Sequence, residues 1–181
     1  LTDLSEKVVS SHADFGIAVD PDVDRLAFMD ENGAMFGEEY TLVACADYVL
    51  SQRPGNTVSN LSSTRALRDV TEKHGGTYTA SAVGEVNVVN AMKATNAVIG
   101  GEGNGGIIFP ESHYGRDALV GVALFLSLLA ERKIAVSALR ASYPSYFMSK
   151  KKIDLNPSID VDAILDAMEA KYAHEQISTI D

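Results

Sequence analysis

The chain has 181 residues, 46% of them hydrophobic, and a formal net charge of −10. That length suits one domain with a real core, or one and a half smaller ones, and the composition is ordinary for a soluble globular protein. The acidic balance argues against nucleic acid or an anionic membrane surface as the main partner, while a local phosphate site stays compatible with it.

The opening residues, Leu1-Thr2-Asp3-Leu4-Ser5-Glu6, are polar and do not read as a signal peptide. Phe15-Gly16-Ile17-Ala18-Val19 is short, apolar and β-branched, and predicts a strand. Leu26-Ala27-Phe28-Met29 predicts a second, followed by Asp30-Glu31-Asn32-Gly33, where Asn-Gly signals a hairpin turn. From Gly37 the pattern is α/β. Glu38 to Gln52 has helical spacing and stops before Pro54-Gly55. The sole cysteine, Cys45, excludes an internal disulfide and reads as a buried thiol, a usage that fits a cytoplasmic home.

Asn56 to Leu61 predicts a strand, Thr64 to His74 a helix stopped by Gly75-Gly76, and Thr77 to Ala80 a short strand. Glu85 to Thr95 is helical, and Ala97-Val98-Ile99 and Ile107-Ile108-Phe109 are strands around a glycine-rich loop. Asp117 is a good N-cap for an apolar helix running to about Arg132. Its apolar run, Ala118 to Ala130, is too short to span a bilayer. The expected fold class is α/β, a mostly parallel sheet sandwiched by helices. Composition shifts at Pro144. A strand-like connector follows to Pro157, with Tyr146-Phe147-Met148 and a Lys150-Lys151-Lys152 run read as a solvated face. Asp160 to Tyr172 is an amphipathic helix that begins another unit. Three segments result: 1–36, a compact 37–143, and 144–181. Both ends look cut. Leu1 to Val9 and the helix from Asp160 are the segments expected to be loose.

Two segments carry chemistry. Between the first two strands lies Asp20-Pro21-Asp22-Val23-Asp24-Arg25. Pro21 breaks any strand there. Three carboxylates at alternate positions of a tight loop can converge on one point, where their repulsion is relieved by a hard divalent cation such as Mg²⁺. A plain solvated turn is one rival reading. An EF-hand loop is another: Glu31 falls at its position 12, but Arg25 stands where that loop needs glycine, and the flanks read as strands rather than helices. The second segment, Gly100-Gly101-Glu102-Gly103-Asn104-Gly105-Gly106, has five glycines in seven residues. A strand follows rather than a helix, so it is not a typical phosphate cradle. Glu102 and Asn104 offer acceptors and donors suited to a polyol, against the alternative of a flexible turn.

Together the two segments resemble the α-D-phosphohexomutases, the phosphoglucomutase, phosphomannomutase and phosphoglucosamine mutase enzymes. Asp-Pro-Asp-Val-Asp-Arg is similar to their metal loop, D-G-D-x-D-R, and Gly101 to Gly106 to their sugar loop, G-E-x-S-G-H. Ser81-Ala82-Val83-Gly84-Glu85 resembles their T-x-V-G segment, and Tyr114-Gly115-Arg116-Asp117-Ala118 the Asp-Gly region before the last helix of domain three. The resemblance implies Mg²⁺ held by Asp20, Asp22 and Asp24, with Arg25 beside a phosphoserine. It implies hexose-phosphate contacts from Glu102, Asn104 and Arg116, and an active-site loop around Ser62, Ser63, Thr64 and Arg65. Asn104 replaces Ser and Gly106 replaces His, so sugar preference does not carry over.

The implied reaction moves a phosphoryl group between an enzyme serine and a hexose through a bisphosphorylated sugar. The family's T-x-S-H-N-P serine motif has no match: Thr79-Ala80-Ser81 continues as Ala82-Val83, and Ser11-His12 as Ala13-Asp14. The R-x-S-N-T-x-P phosphate loop is also missing. The chain is therefore expected to hold the end of domain two (1–36), domain three (37–143) and the start of domain four (144–181), and to be inactive alone. The rival functions are a non-catalytic metal-binding α/β module and a phosphotransferase whose nucleophile is one of the aspartates.

Overall fold

In the computed structural model, residues 1–149, 151, 154–156, 158–175 and 177–180 are described. The chain divides into two compact units, Leu1–Tyr146 and Phe147–Asp181.

The first unit opens with helix α1 (Thr2–Ser11) and an antiparallel pair, β1 (Gly16–Val19) and β2 (Leu26–Met29), in the register Gly16↔Met29 to Val19↔Leu26. The segment expected to be loose thus includes a helix. Val8 is buried, and a Cβ on Gly16 would stand 2.7 Å from Val8 Cγ2, so bare backbone there lets α1 lie on the pair. Ser5 Oγ donates to Gly33 O at 2.7 Å and ties the helix to the turn after β2. In that turn Asp30 Oδ1 accepts from the N–H groups of Asn32 and Ala34, both at 2.9 Å, and Gly33 takes φ +78°.

The α/β part follows as α2 (Glu38–Gln52), β3 (Asn56–Asn60), α3 (Ala66–Lys73), β4 (Tyr78–Ser81), α4 (Glu85–Thr95), β5 (Ala97–Gly101), β6 (Ile107–Ile108), α5 (Ala118–Arg132) and α6 (Val136–Ala141). Strand order is β4-β3-β5-β6. β3 pairs parallel with β4 and β5, and β6 closes antiparallel to β5. Helix α4 covers one face, where Val88 and Met92 pack with Val58 and Ile108. Helices α2, α3 and α5 cover the other around Ile99 and Ile107. The mostly parallel sheet between helices is as the residue pattern predicts. Phe28 of β2 stacks on Phe125 of α5 at 3.7 Å between centroids, and Phe36 meets the same ring edge-on at 5.1 Å. Each is fully buried, a contribution of roughly 1.5–3 kcal/mol apiece. β2 and α5 thus share a core across positions 36 and 37.

Two polar devices lock the helices. Buried Asp47 of α2 accepts from His74 Nε2 (2.8 Å), Tyr143 Oη (2.9 Å) and Arg132 Nη2, and so joins α2 to the ends of α3, α5 and the segment after α6. Glu31 receives the Ser137 N–H (3.2 Å) and hydroxyl, which caps α6. That contact also occupies the carboxylate an EF-hand would need. Helix α6 is six residues long and was not expected from the residue pattern.

The strand-like connector is not a strand among its described residues. Its start is held by side chains instead: Tyr40 Oη donates to Pro144 O (2.8 Å) and accepts from the Tyr146 N–H (3.1 Å). Of the lysine run, Lys151 is exposed, while Lys150 and Lys152, like Pro157, lie outside the described residues. In the second unit α7 (Val161–Lys171) is N-capped by Asp160, whose Oδ1 accepts from the Ala163 N–H at 3.1 Å, and none of its residues is buried. No helix among the described residues is long and apolar enough to cross a membrane.

Candidate functional site

The aspartate loop spans the turn between β1 and β2. Val23 takes φ +58°, a left-handed conformation that a β-branched residue seldom adopts and that marks a backbone held by its surroundings. Its N–H donates to Asp20 O at 3.1 Å, and its carbonyl accepts from the Ala118 N–H at the start of α5, at 3.0 Å. The tight turn converges the acids: one oxygen from each of Asp20, Asp22 and Asp24 lies within 4.8 Å of the others.

The three carboxylates differ. Asp20 Oδ1 accepts the N–H groups of Asp24 (3.1 Å) and Arg25 (3.0 Å), and the Arg25 amide is the main cause holding its carboxyl below the usual range. Burial pushes the Asp24 carboxyl up, aided by the neighbouring Asp20 and Asp22 and opposed by Arg116. Asp24 Oδ1 is buried with no hydrogen-bond partner, while Oδ2 meets Arg116 Nη2. A buried, unpartnered carboxylate oxygen is costly unless something cationic faces it. Arg25 Nε stands 3.5 Å from Asp20 Oδ2 and 3.6 Å from this same Asp24 Oδ1, an ion-pair distance beyond hydrogen-bond reach, with half of its side chain exposed.

The glycine-rich loop between β5 and β6 runs against this turn. A Cβ on Gly105 would stand 2.1 Å from Leu26 O, and one on Gly103 2.2 Å from Ser62 O. Glycine therefore serves close backbone approach to the start of β2 and to the loop after β3. Asn104 Oδ1 accepts the Gly106 N–H at 3.2 Å, and Asn104 shares with Asp20, Arg25 and Glu38 a cavity of about 270 Å³. Glu102 is only 5% exposed. Its Oε1 accepts from Asn60 Nδ2 (2.8 Å) and its Oε2 from Arg116 Nη1 (2.7 Å). Arg116 Nε reaches Glu85 Oε2 at 3.1 Å.

One network therefore runs from Ser63, which donates to Asn60 Oδ1 at 2.8 Å, through Asn60, Glu102 and Arg116 to Asp24. It brings together Asp24, Glu102, Arg116 and Ser63 of the sequence-predicted residues, with Asp20, Asp22 and Arg25 on the same turn and Asn104 in the adjoining cavity. Thr64 and Arg65 stand apart. Thr64 is buried and its Oγ1 accepts the Ala66 N–H at 3.3 Å, while Arg65 is exposed at the start of α3. Sequence reasoning missed Asn60 and Glu85 as site members. The signals were available: Asn60 ends a parallel strand, the usual side for sites in such sheets, and Glu85 opens a helix beside the T-x-V-G-like segment.

Residues 37–146 match the family described as phosphoglucomutase/phosphomannomutase, alpha/beta/alpha domain III. The chain is 35% identical over 153 residues to a phosphoglucomutase/phosphomannomutase of Thermococcus kodakarensis, covering 84% of this chain and 34% of that protein. It is 35% identical over 139 residues to a phosphoglucosamine mutase of Nitratidesulfovibrio vulgaris, covering 75% of this chain and 31% of the relative. A crystal structure of a phosphoglucomutase/phosphomannomutase family protein from Burkholderia thailandensis superposes with a TM-score of 0.72 at 31% identity, over 80% of this chain and 32% of that one. The chain spans about a third of the length of these relatives. The match over the sheet and its helices, with relatives at this identity on both sides of the comparison, shows that the chain belongs to the phosphoglucomutase/phosphomannomutase family of the α-D-phosphohexomutase superfamily.

Proposed function

We propose that this chain is the part of a Mg²⁺-dependent phosphohexomutase that supplies its metal loop and its sugar loop. The whole enzyme would interconvert hexose 1-phosphate and hexose 6-phosphate through a phosphoserine and a bisphosphorylated sugar, in the cytoplasm. The observation that carries the metal assignment is Asp24 Oδ1, buried and without a hydrogen bond beside the oxygens of Asp20 and Asp22. An all-carboxylate donor set suits Mg²⁺ and does not favour a softer ion. When bound, the ion neutralises charge on the transferring phosphoryl group.

The chain's own residues position and pair. Arg25, half exposed on the wall of the 270 Å³ cavity, has guanidinium donors to spare for a phosphoryl group bound there. Asn104, on the same cavity, offers its amide to hexose hydroxyls. Glu102, 5% exposed and bonded to Asn60 and Arg116, would meet a sugar hydroxyl only through the lone pairs those bonds leave free. Phosphoryl transfer rests largely on such positioning and charge stabilisation.

The test is a Mg²⁺ titration of the full-length enzyme and its Asp22→Asn variant, with mass spectrometry of the phosphorylated intermediate. A phosphoserine and a variant that needs far more Mg²⁺ for turnover are expected. Equal metal dependence would refute the metal assignment. A phosphoaspartate at residue 20, 22 or 24 would replace the serine mechanism with an aspartyl one.

A further inference from the structure

We propose that Arg116 is a positioning residue that locks the aspartate loop to the glycine-rich loop and turns Asp24 so that Oδ1 alone faces the cation. This rests on the reading of Asp20, Asp22 and Asp24 as metal ligands.

The guanidinium gives one nitrogen to each of three carboxylates on three separate elements. Nη2 meets Asp24 of the aspartate loop, Nη1 meets Glu102 of the glycine-rich loop at 2.7 Å, and Nε meets Glu85 at the start of α4 at 3.1 Å. Its side chain is 16% exposed, so little of it is left for a substrate. The planar fork of arginine can hold three directions at once, which a lysine ammonium on a flexible stem does not reproduce. At Asp24 the result is asymmetric: Oδ2 is tied down, and Oδ1 is left buried without a hydrogen bond beside Asp20 and Asp22, with Arg25 Nε 3.6 Å away.

The root of the side chain is fixed as firmly as its tip. Arg116 bridges Ile108 of β6, the Asp117 N–H donates to Ile107 O at 2.8 Å, and the Ala118 N–H donates to Val23 O at 3.0 Å. The stem crosses Gly106, where a Cβ would stand 2.5 Å from Arg116 Cδ. The missing Cβ at Gly106 leaves the space that the arginine stem fills. Five carboxylates, those of Asp20, Asp22, Asp24, Glu85 and Glu102, surround two cations, Arg25 and Arg116. Arg116 thus also lets the two loops approach despite their like charge.

Outer partners that orient a ligating carboxylate are typically worth about 10–100-fold in metal affinity. A competing effect has the opposite sign: a cation beside the site repels the ion, so deleting the charge tightens binding. Arg116→Lys separates the two, because it keeps the charge and removes the fork.

The test is Mn²⁺ binding to the 181-residue chain, read by the electron paramagnetic resonance of free Mn²⁺, with melting temperature followed in parallel. Arg116→Lys is expected to weaken Mn²⁺ binding about 10–100-fold. Glu102→Asp, which keeps the charge, draws the carboxylate back from Arg116 and leaves the aspartate loop untouched, is expected to weaken it in the same direction, and it decides the matter if Arg116→Lys does not fold. Unchanged or tighter binding in the folded variants overturns the positioning role. The metal reading fails separately, if the wild-type chain and Asp22→Asn bind Mn²⁺ equally.

Discussion

Asp47→Ala should unravel the contact between α2, α3 and α5 more than any other polar substitution in the first unit. Asp47 is 1% exposed and accepts from three side chains. Removing it strands the buried Tyr143 hydroxyl, at about 1–3 kcal/mol. It also removes the His74 hydrogen bond, about 1.5–3 kcal/mol for a charged acceptor, discounted here because His74 is 20% exposed. Arg132, 31% exposed, turns to water and adds at most about 1 kcal/mol. Relief of the carboxylate's own desolvation offsets part of this sum. A net loss of about 3 kcal/mol results, at the lower edge of what breaking a buried pair costs. At roughly 2–4 °C per kcal/mol for a chain of this size, the melting temperature falls by ~6–12 °C. Urea unfolding followed by far-ultraviolet circular dichroism measures it. A loss below about 1 kcal/mol with an unchanged slope in denaturant would show that the three donors do not depend on Asp47.

Acid should erode the same stabilisation. Burial pushes the Asp47 carboxyl up, but hydrogen bonds from His74 and Tyr143 and the Arg132 charge outweigh it and hold its pKa below the ordinary value. A depressed carboxyl stabilises the fold above the unfolded pKa of about 3.9 and loses that contribution as pH falls through the folded value, so the gap between wild type and Asp47→Ala narrows below ~pH 4 in urea melts. In the full-length enzyme, Glu102→Gln keeps the side-chain shape and loses the charged acceptor. At roughly 1.5–3 kcal/mol its kcat/KM should fall about 10- to 150-fold in steady-state assays, and an unchanged value would end its role in sugar recognition. The 181-residue chain by itself should not turn over glucose 1-phosphate, mannose 1-phosphate or glucosamine 1-phosphate with added bisphosphorylated sugar and Mg²⁺. Turnover above a mock preparation would place the nucleophile within these residues.

The alternating strands and helices from Glu38 to Arg132 were legible in the residues because each element is written locally, in apolar spacing, glycine stops and the Asp117 N-cap. The aspartate loop was legible for the same reason. Asp20, Asp22 and Asp24 lie within one turn, and the amides that orient Asp20 are four and five residues away. Helices α1 and α6 were not. Nothing in their spacing stands out, and what holds them is distant: α1 is tied by Ser5 to Gly33, 28 positions on, and α6 is capped by Glu31, 106 positions earlier. The connector after Pro144 reads as a strand from composition, but Tyr40 takes up its backbone groups.

What Glu102 and Arg116 do was decided only by tertiary structure. As letters they are an acid in a glycine loop and a base before a helix, each free to face a substrate. In the fold, Asn60 reaches Glu102 across 42 positions and Arg116 reaches Glu85 across 31, and the low-dielectric pocket between the loops leaves a buried charge little choice but to pair. Local chemistry in the sequence determined that three carboxylates would converge. The packing of a glycine-rich loop against them, with Arg116 on Asp24 Oδ2, determined which of their oxygens is left buried without a hydrogen bond.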